Sequence, residues 1–483
     1  MTTLTSLARA VAVRAGRAQK ITTVRHVHVH ERPLVFIPLA LAGEANAPLA
    51  AMVGDSPESA QLLVVPQPRN RDQRFAFAAS LASIVLSYVD SFMGEVEAVA
   101  VDRGRDIRSR YANAPQLLVP NPGGLNFVRL FGRSTRFRRS YGDYAVDPSV
   151  PVLGRWLTFF AERTEHPGSC ALLAATSALV QHWASGQSPV EDRNLAALLG
   201  WIDPPAGMSG ADAAAQAEDA LTWPPAGPAT DPSFDNEILG RLIDAGSVPA
   251  LEKALATQLE PTWALMWRAV DLLRGLPSGT RVAGRWDADK DACTSYAEHV
   301  RGGGVPQPRR DSAVAAAQKL NWLERAQASY AAQLALDDPL VLAEYRLSGE
   351  AFAGTVVAAD PTRTEGTGRS RKLRPHITVL TEDPVLLASG ATVHAVSRPG
   401  QKAAVLAVSG NAVRLELSGG MGRAATPAPG SVPEVGERIC YSSIVDSYQP
   451  VTTFPPRELT PWTHGGPPVE YRPTDEDAHE EWS

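Results

Sequence analysis

Arginines interleaved with aromatic side chains form the most chemically distinctive segment of this sequence, at 126–144. Five arginines occur in it before its first acidic residue, Asp143. Guanidinium groups pair bidentately with phosphate and aromatic faces stack on bases, so this composition predicts contact with single-stranded nucleic acid. The alternative is a strand or hairpin whose aromatic side chains face the core while its arginines are solvated. The candidate contacts are Arg129, Arg133, Arg136, Phe137, Arg138 and Arg139.

A second basic run lies in a predicted turn between two strands, at 369–374. Barrels that bind oligonucleotides often carry their contacts in such loops, whereas a solvated hairpin needs no function. The sequence does not choose between the two. Two basic segments in separate domains favour one extended binding surface, provided that they share a face. The candidate contacts here are Arg371, Lys372 and Arg374, with Arg369 beside them.

Two patterns resemble metal sites, and neither predicts a bound metal. His26, His28 and His30 would share one face of an extended strand, but a line of about 13 Å is too long for one ion, so we expect a solvated face. Residues 287–298 carry acids at calcium-loop positions, yet Ala292 stands where the loop requires Gly. We expect a helix instead, with acids in its first turn and its end at Gly302.

No complete catalytic motif occurs in the sequence. It contains no GxxxxGK[ST], HExxH, GxSxG or paired CxxC pattern. The three cysteines lie far apart, which is typical of reduced, buried thiols. We therefore predict a non-catalytic protein with no cofactor and no metal, although a site assembled from distant residues stays an alternative.

Composition indicates a multidomain globular protein. The chain has 483 residues and a net charge of -6, which argues against a protein that coats nucleic acid along its whole length. Only six basic residues are Lys, a bias typical of GC-rich bacterial genomes. No apolar run reaches 18 residues, so we predict no membrane span and a cytoplasmic location. The acid-free segment 1–30 is expected to be an amphipathic first helix, with a transit peptide as the alternative.

Periodicity predicts α/β, helical and all-β parts in that order. Short apolar runs at 33–42, 61–66, 96–101 and 115–120 indicate buried strands of a partly parallel sheet around a helix at 75–92. Six alternating runs after Ser348 indicate a small six-stranded β-barrel. The predicted domains are an α/β domain at 1–150, a helical region at 151–202, a Pro/Ala-rich linker at 203–235, a helical domain with a stalk-like helix pair at 236–346, the barrel at 347–450 and a Pro-rich acidic tail at 451–483.

The order of elements at 312–446 resembles the stalk-and-barrel region of superfamily 1 RNA helicases of the nonsense-mediated-decay type. The matching features are a helix ending near Tyr345, the strand GTVVAAD (354–360), the basic turn, the strand HITVLTEDP (376–384) and the turn PAPGSVPEVGERI (427–439).

In that family the barrel lies against the nucleic-acid track, which implies that Arg371, Lys372 and Arg374 contact the strand. The chain departs from the family because it lacks the Walker lysine and the acidic magnesium-binding motif of the motor. The resemblance therefore implies a clamp without an ATPase.

We predict a nucleic-acid-associated accessory protein that works beside a separately encoded helicase or nuclease. One alternative is a structural or assembly protein that uses the Arg-aromatic segment as a protein interface. Another is an enzyme whose site is dispersed over the N-terminal α/β domain, where Asp55, Asp102 and Asn121 follow strand ends.

Overall fold

Short apolar runs near the N-terminus form a mixed five-stranded sheet in the computed structural model of this chain. The structure describes residues 2–44, 47–101, 105–311, 313–367, 371–398, 400–422 and 426–446. Arg369 and the predicted acidic tail at 451–483 lie outside these ranges. Two compact units are present, a larger one within residues 5–326 and a smaller one formed by residues 2–4 and 327–446.

The larger unit consists of helices packed around the mixed sheet. Its helices are α1 Thr3–Ala15, α2 Arg71–Asp90, α3 Pro122–Thr135, α4 Ser149–Arg163, α5 Ala175–Val180, α6 Leu195–Ile202, α7 Gly210–Gln216, α8 Pro232–Phe234, α9 Gly240–Ala245, α10 Val248–Arg274, α11 Val282–Arg301 and the start of α12 Ala313–Asp337. Its strands are β1 Gln19–Lys20, β2 Leu34–Ala40, β3 Pro48–Gly54, β4 Gln61–Val64, β5 Val96–Val101, β6 Asp106–Tyr111, β7 Leu117–Val119, β8 Leu172–Ala174 and β9 Trp183–Ala184.

The sheet has the order β4-β3-β2-β7-β8. Strands β2, β7 and β8 run parallel to one another, whereas β3 runs antiparallel to both of its neighbours, β2 and β4. Strands β2 and β3 are buried over almost their whole length, as continuous apolar runs covered on both faces require. The predicted partly parallel sheet is confirmed. One predicted strand, β5, lies outside it and pairs with β6 in a separate two-stranded ribbon.

The segment predicted as a linker is packed into the larger unit. Residues 203–235 contain α7 and α8, and Ala214, Ala217 and Phe234 are buried in the hydrophobic core. Small side chains allow this close packing, so a composition rich in Pro and Ala does not make the segment a loose connection.

The smaller unit is the predicted six-stranded barrel with a helical lead. It contains a closed antiparallel barrel with the order β10-β13-β16-β15-β14-β17, whose inward side chains, such as Val379, Val405 and Leu415, form one core. Its elements are the end of α12, α13 Pro339–Leu347, β10 Ala351–Asp360, β11 Thr364–Glu365, β12 Lys372–Leu373, β13 His376–Thr381, β14 Thr392–Ala395, β15 Lys402–Ser409, β16 Ala412–Ser418 and β17 Arg438–Ser442.

Candidate anion-binding pocket

Helix α3 holds the first half of the basic-aromatic segment and begins at an Asn-Pro-Gly sequence. Asn121 caps it, because its Oδ1 accepts a hydrogen bond from the Gly124 nitrogen at 3.1 Å. A spacing of four residues places Phe127 and Phe131 on one face, where their buried rings stack at 5.5 Å. Of the aromatic side chains in the segment, Phe127 and Phe131 face the core, whereas Tyr141 and Tyr144 are exposed. The segment is helical as far as Thr135, so the strand or hairpin that was the alternative is not formed there.

Two glycines bring α3 against α4. A Cβ atom added to Gly132 would lie 2.8 Å from the Thr158 nitrogen, and one added to Gly154 would lie 2.3 Å from the Arg136 nitrogen. Larger residues at either position would force the helices apart. The close approach lets side chains from both helices line the same cavity.

Residues 308–311, together with Lys319 of α12, form a third wall, and side-chain hydrogen bonds fix the segment 304–308 to α3 and α4. Arg155 Nη2 donates to the Gly304 oxygen at 2.6 Å, and Gln307 Nε2 donates to the Arg155 oxygen at 3.0 Å. Arg136 Nε donates to the Gln307 oxygen at 2.8 Å. These bonds position the following residues, Arg309 and Arg310, across the cavity from α3.

The three walls enclose a cationic pocket of about 210 Å³. Three carboxylates, Glu162, Glu165 and Asp311, face six cationic side chains, which leaves an excess of three positive charges when all are ionised. Concentrated positive charge in a concave site attracts anions, and guanidinium groups match the geometry of phosphate. The cationic side chains are Arg129, Arg133, Arg136, Arg309, Arg310 and Lys319.

Ion pairs within the cationic pocket compensate some of these charges. Lys319 Nζ lies 2.7 Å from Glu165 Oε2, and Arg129 Nη2 lies 3.7 Å from Glu165 Oε1. Burial lowers the pKa of Lys319, but its hydrogen bond to Glu165 and the negative charges of Glu165, Asp311 and Glu162 together outweigh burial, so the pKa is raised. Burial raises the pKa of Glu162, against the opposing charges of Lys319 and Arg136. Glu162 therefore takes up a proton at a higher pH than an ordinary carboxyl group does.

Arg133 is the cation that the fold leaves most available. It is exposed and forms no hydrogen bond or ion pair with any residue that the structure describes. Its position four residues after Arg129 places both guanidinium groups on the same side of α3. The pocket therefore presents at least one arginine to a ligand without breaking an internal ion pair.

Other predicted contacts of this segment have structural partners. Arg136 is only 2% exposed, and its Nε and Nη2 donate to main-chain oxygens, so it is not the surface contact that was predicted. Its guanidinium lies over the Phe137 ring at 4.8 Å. Arg138 donates to the Ser134 oxygen at 3.0 Å. Arg139 is exposed beside Tyr141, outside the pocket lining.

The basic run of the smaller unit lies on a short hairpin formed by β11 and β12. Arg371 and Lys372 are exposed, and Arg371 Nε donates to Thr364 Oγ1 at 2.8 Å. Arg374 differs, because its Nε lies 3.9 Å from carboxylate oxygens of both Glu365 and Glu416. Arg371 and Lys372 are therefore the more available cations of this hairpin.

The crevice in which open α/β sheets bind ligands is occupied by the chain itself. The Ala40 nitrogen, at the carboxyl end of β2, donates to the Pro228 oxygen at 2.8 Å. Asn121 Nδ2, after β7, donates to the Gly227 oxygen at 2.9 Å. Asn121 belongs to the dispersed enzyme site that was an alternative, and here it caps α3 and binds this segment. Of its other members, Asp55 pairs with Arg32 at 3.0 Å and Asp102 lies outside the described residues.

The histidine pattern is buried, so the predicted solvated face is wrong. His26 and His30 are 1% and 7% exposed. The segment does not pair as a strand: the His26 nitrogen donates to His182 Nε2 and the His30 nitrogen donates to Gln116 Oε1, at 2.9 and 2.8 Å. Side chains thus satisfy main-chain groups that a sheet would otherwise pair.

The calcium-like acids belong to helix α11, as expected, although not to its first turn, since the helix begins at Val282. Asp287 Oδ1 pairs with Arg110 at 2.7 Å, and the buried Asp289 pairs with Arg163 at 2.6 Å. Among the described residues, no group of three or more His, Cys, Asp or Glu side chains is arranged to hold a metal ion.

Sequence reasoning missed the third wall of the cationic pocket. Arg309, Arg310 and Lys319 lie more than 170 residues after α3 in the chain. The local signal was the pair Arg309-Arg310, together with one of the few lysines in the protein. Nothing in that signal indicates which distant helix it faces.

No protein-family model, curated protein or solved structure matches this chain. Within the described ranges, no helix has both the length and the apolar character needed to cross a membrane.

Proposed function

We propose that this protein is a non-catalytic nucleic-acid-associated accessory protein, and that its cationic pocket contacts phosphate groups. The observation that carries the proposal is the gathering of six cationic side chains around one cavity in a chain with a net charge of -6. Such a local excess is costly to maintain without an anionic ligand, because like charges repel.

The exposed cations support contact with a strand rather than an internal structural role. Arg133 lacks a partner among the described residues, and the barrel hairpin offers Arg371 and Lys372. A single strand exposes phosphates along its length, so separate cationic groups can each hold one. The proposal requires no particular arrangement of the two units.

The accessory role is inferred from the sequence. The chain contains no GxxxxGK[ST] segment, so energy for moving or opening a strand would come from another protein. We infer that this partner is a separately encoded helicase or nuclease, in keeping with the resemblance of residues 312–446 to a helicase clamp.

Charge reversal at the cationic pocket tests the proposal. We expect Arg133→Glu to weaken binding of a fluorescent single-stranded oligonucleotide by about 10- to 100-fold, the range for loss of a hydrogen bond to a charged group. Fluorescence anisotropy at constant salt measures this. Arg241→Glu is the matched control, since Arg241 is exposed on α9, lies outside the pocket and gives the same change in net charge. Equal losses in both variants, or no binding by the wild type, would contradict the proposal.

A protein interface is the second candidate, and exposed aromatic side chains after α3 favour it. Tyr141 and Tyr144 are 68% and 78% exposed, and Arg139 lies over the Tyr141 ring. Tyrosine and arginine are enriched at protein interfaces. Light scattering that shows a defined oligomer, dissociated by Tyr141→Ser and unaffected by oligonucleotide, would support this candidate over nucleic-acid binding.

A further inference from the structure

We propose that the cationic pocket receives the terminal phosphate of a single-stranded nucleic acid and that Trp322 stacks on the adjoining base. This inference rests on the proposed function and specifies which part of the strand the pocket takes. Three independent features support it: the closed floor of the pocket, its charge, and an exposed tryptophan beside it.

The pocket has a closed floor. Thr158 and Ala161 line it from α4 and are 5% and 3% exposed, and the buried Arg136 lines it from the end of α3. The hydrogen bonds from Arg136 to residues 307 and 308 join two of its walls. A terminal phosphate has three acceptor oxygens to turn toward such a concave lining, whereas an internal phosphodiester has two, so the concavity favours an end group.

The charge of the pocket suits a phosphate monoester better than a diester. A terminal phosphate carries between one and two negative charges and three acceptor oxygens, while an internal phosphodiester carries one charge. The pocket has an excess of three positive charges even with all its carboxylates ionised. Arg133 on one wall and Arg310 on another are both exposed, so donors approach from two directions.

Trp322 lies beside the wall that carries Lys319. The two residues are three apart on α12 and therefore share a face of that helix. Their partners are also neighbours, since Lys319 pairs with Glu165 while the Trp322 ring contacts His166 at 4.7 Å. Trp322 keeps 48% of its surface exposed. An exposed indole next to a phosphate site is a platform on which a base can stack.

Oligonucleotides that differ only at their ends test the inference with the full-length protein. The competitors are one single-stranded sequence with a 5′-phosphate, a 3′-phosphate or hydroxyl groups at both ends, together with a nucleoside 5′-monophosphate and inorganic phosphate. We expect at least one phosphorylated strand to bind about 10-fold more tightly than the hydroxyl strand, and Arg133→Gln to abolish that difference. Arg241→Gln should retain it.

Each other outcome has a distinct meaning. Equal binding of all three strands overturns the inference and leaves the proposed function standing. Absence of binding by every strand overturns both. A nucleoside monophosphate that competes as well as the phosphorylated strand assigns the pocket to a free nucleotide and overturns the strand end as its ligand.

Substitution of Trp322 tests the stacking part separately. We expect Trp322→Ala to weaken binding of the phosphorylated strand by about 10-fold. Competition by inorganic phosphate should be unchanged, because phosphate alone has no base to stack. Leu320→Ala on the same helix is the control, since Leu320 is 58% exposed and does not line the pocket. Equal affinities of wild type and Trp322→Ala would overturn the role of Trp322.

Discussion

Arg133 and Arg136 lie three residues apart in one basic segment, yet their side chains have different environments and contacts. Arg133 is exposed, whereas Arg136 is buried and holds the main chain of residues 307 and 308. The count of arginines in the segment was therefore a poor guide to its contacts. What decides availability is the helical position of each side chain and whether main-chain oxygens already accept its donors.

Loss of the carboxylate of Glu162 should change oligonucleotide affinity in the opposite direction to loss of an arginine. Glu162→Gln removes a negative charge from the cationic pocket, so we expect single-stranded oligonucleotide to bind more tightly, by about 2- to 10-fold. Since burial raises the pKa of Glu162, the gain should be larger at pH 8 than at pH 5, where the wild-type carboxyl is protonated to a greater extent. Anisotropy titrations at the two pH values measure the ratio of affinities.

For control, Glu298→Gln removes an exposed carboxylate of α11 that does not line the pocket. Weaker binding by Glu162→Gln would show that this carboxyl contributes a contact instead of opposing the anion.

His28 makes stability depend on pH. Its ring stacks on Trp286 at 4.0 Å, and burial, followed by the charges of His30, Arg25 and Lys290, lowers its pKa from 6.5 to about 3. The unfolded chain therefore takes up this proton at higher pH than the folded one, so stability is present above pH 6.5 and is lost as pH falls toward 3.

His28→Phe keeps a ring on Trp286 and removes the titration. We expect the wild type to lose on the order of 1–2 kcal/mol more than this variant between pH 7 and pH 5, as judged by urea unfolding. His166, whose pKa burial lowers to about 4, should leave a residual dependence in both proteins. Identical pH profiles for wild type and variant would contradict a buried neutral His28.

At the scale of elements, the barrel was predictable and the cationic pocket was not. The run AVRLELS at 412–418 coincides with β16, because alternation of buried and exposed side chains in a one-sided strand is a local property. The spacing of Phe127 and Phe131 is an equally local signal and is typical of a helix, although the basic-aromatic composition of their segment is compatible with a strand as well. The third wall of the pocket depends on packing between distant segments, which no local pattern encodes.

Closure of the barrel depends on a glycine in β10. A Cβ atom added to Gly354 would lie 2.2 Å from the Leu380 oxygen on the paired strand β13. We expect Gly354→Ala to destabilise the barrel by about 1–3 kcal/mol, because main chain must move to make room. Hydrogen exchange of the barrel amides measures the loss.

Thr355→Ala is the matched control, since Thr355 is the next residue of β10 and is exposed. We expect it to change stability by less than about 0.5 kcal/mol. Similar protection of the barrel amides from hydrogen exchange in the wild type, Gly354→Ala and Thr355→Ala would contradict this expectation. It would show that β10 tolerates the extra carbon and that the close approach of β10 and β13 is not required to close the barrel.

At the scale of the whole molecule, a net negative charge coexists with a concentrated positive site. The chain carries -6 in total, while the cationic pocket holds an excess of three positive charges. At 0.1 M salt, exposed charges interact over only about 10 Å. An approaching strand is therefore attracted by the positive charge of the pocket and is little affected by the net charge of the whole chain. Binding should therefore be sensitive to salt despite the acidic composition.

The most direct test of phosphate contact is the salt dependence of single-strand binding. Each phosphate contact on a single strand contributes a slope of about -0.7 to the logarithm of affinity against the logarithm of salt concentration. We predict that replacing Arg129 and Arg133 together with Gln makes this slope less negative, by about 0.7 if both arginines contact one phosphate and by about 1.4 if each contacts its own, while Arg241→Gln leaves it unchanged. An affinity that does not depend on salt, or a slope that is the same in all three proteins, would contradict binding of phosphate by the cationic pocket.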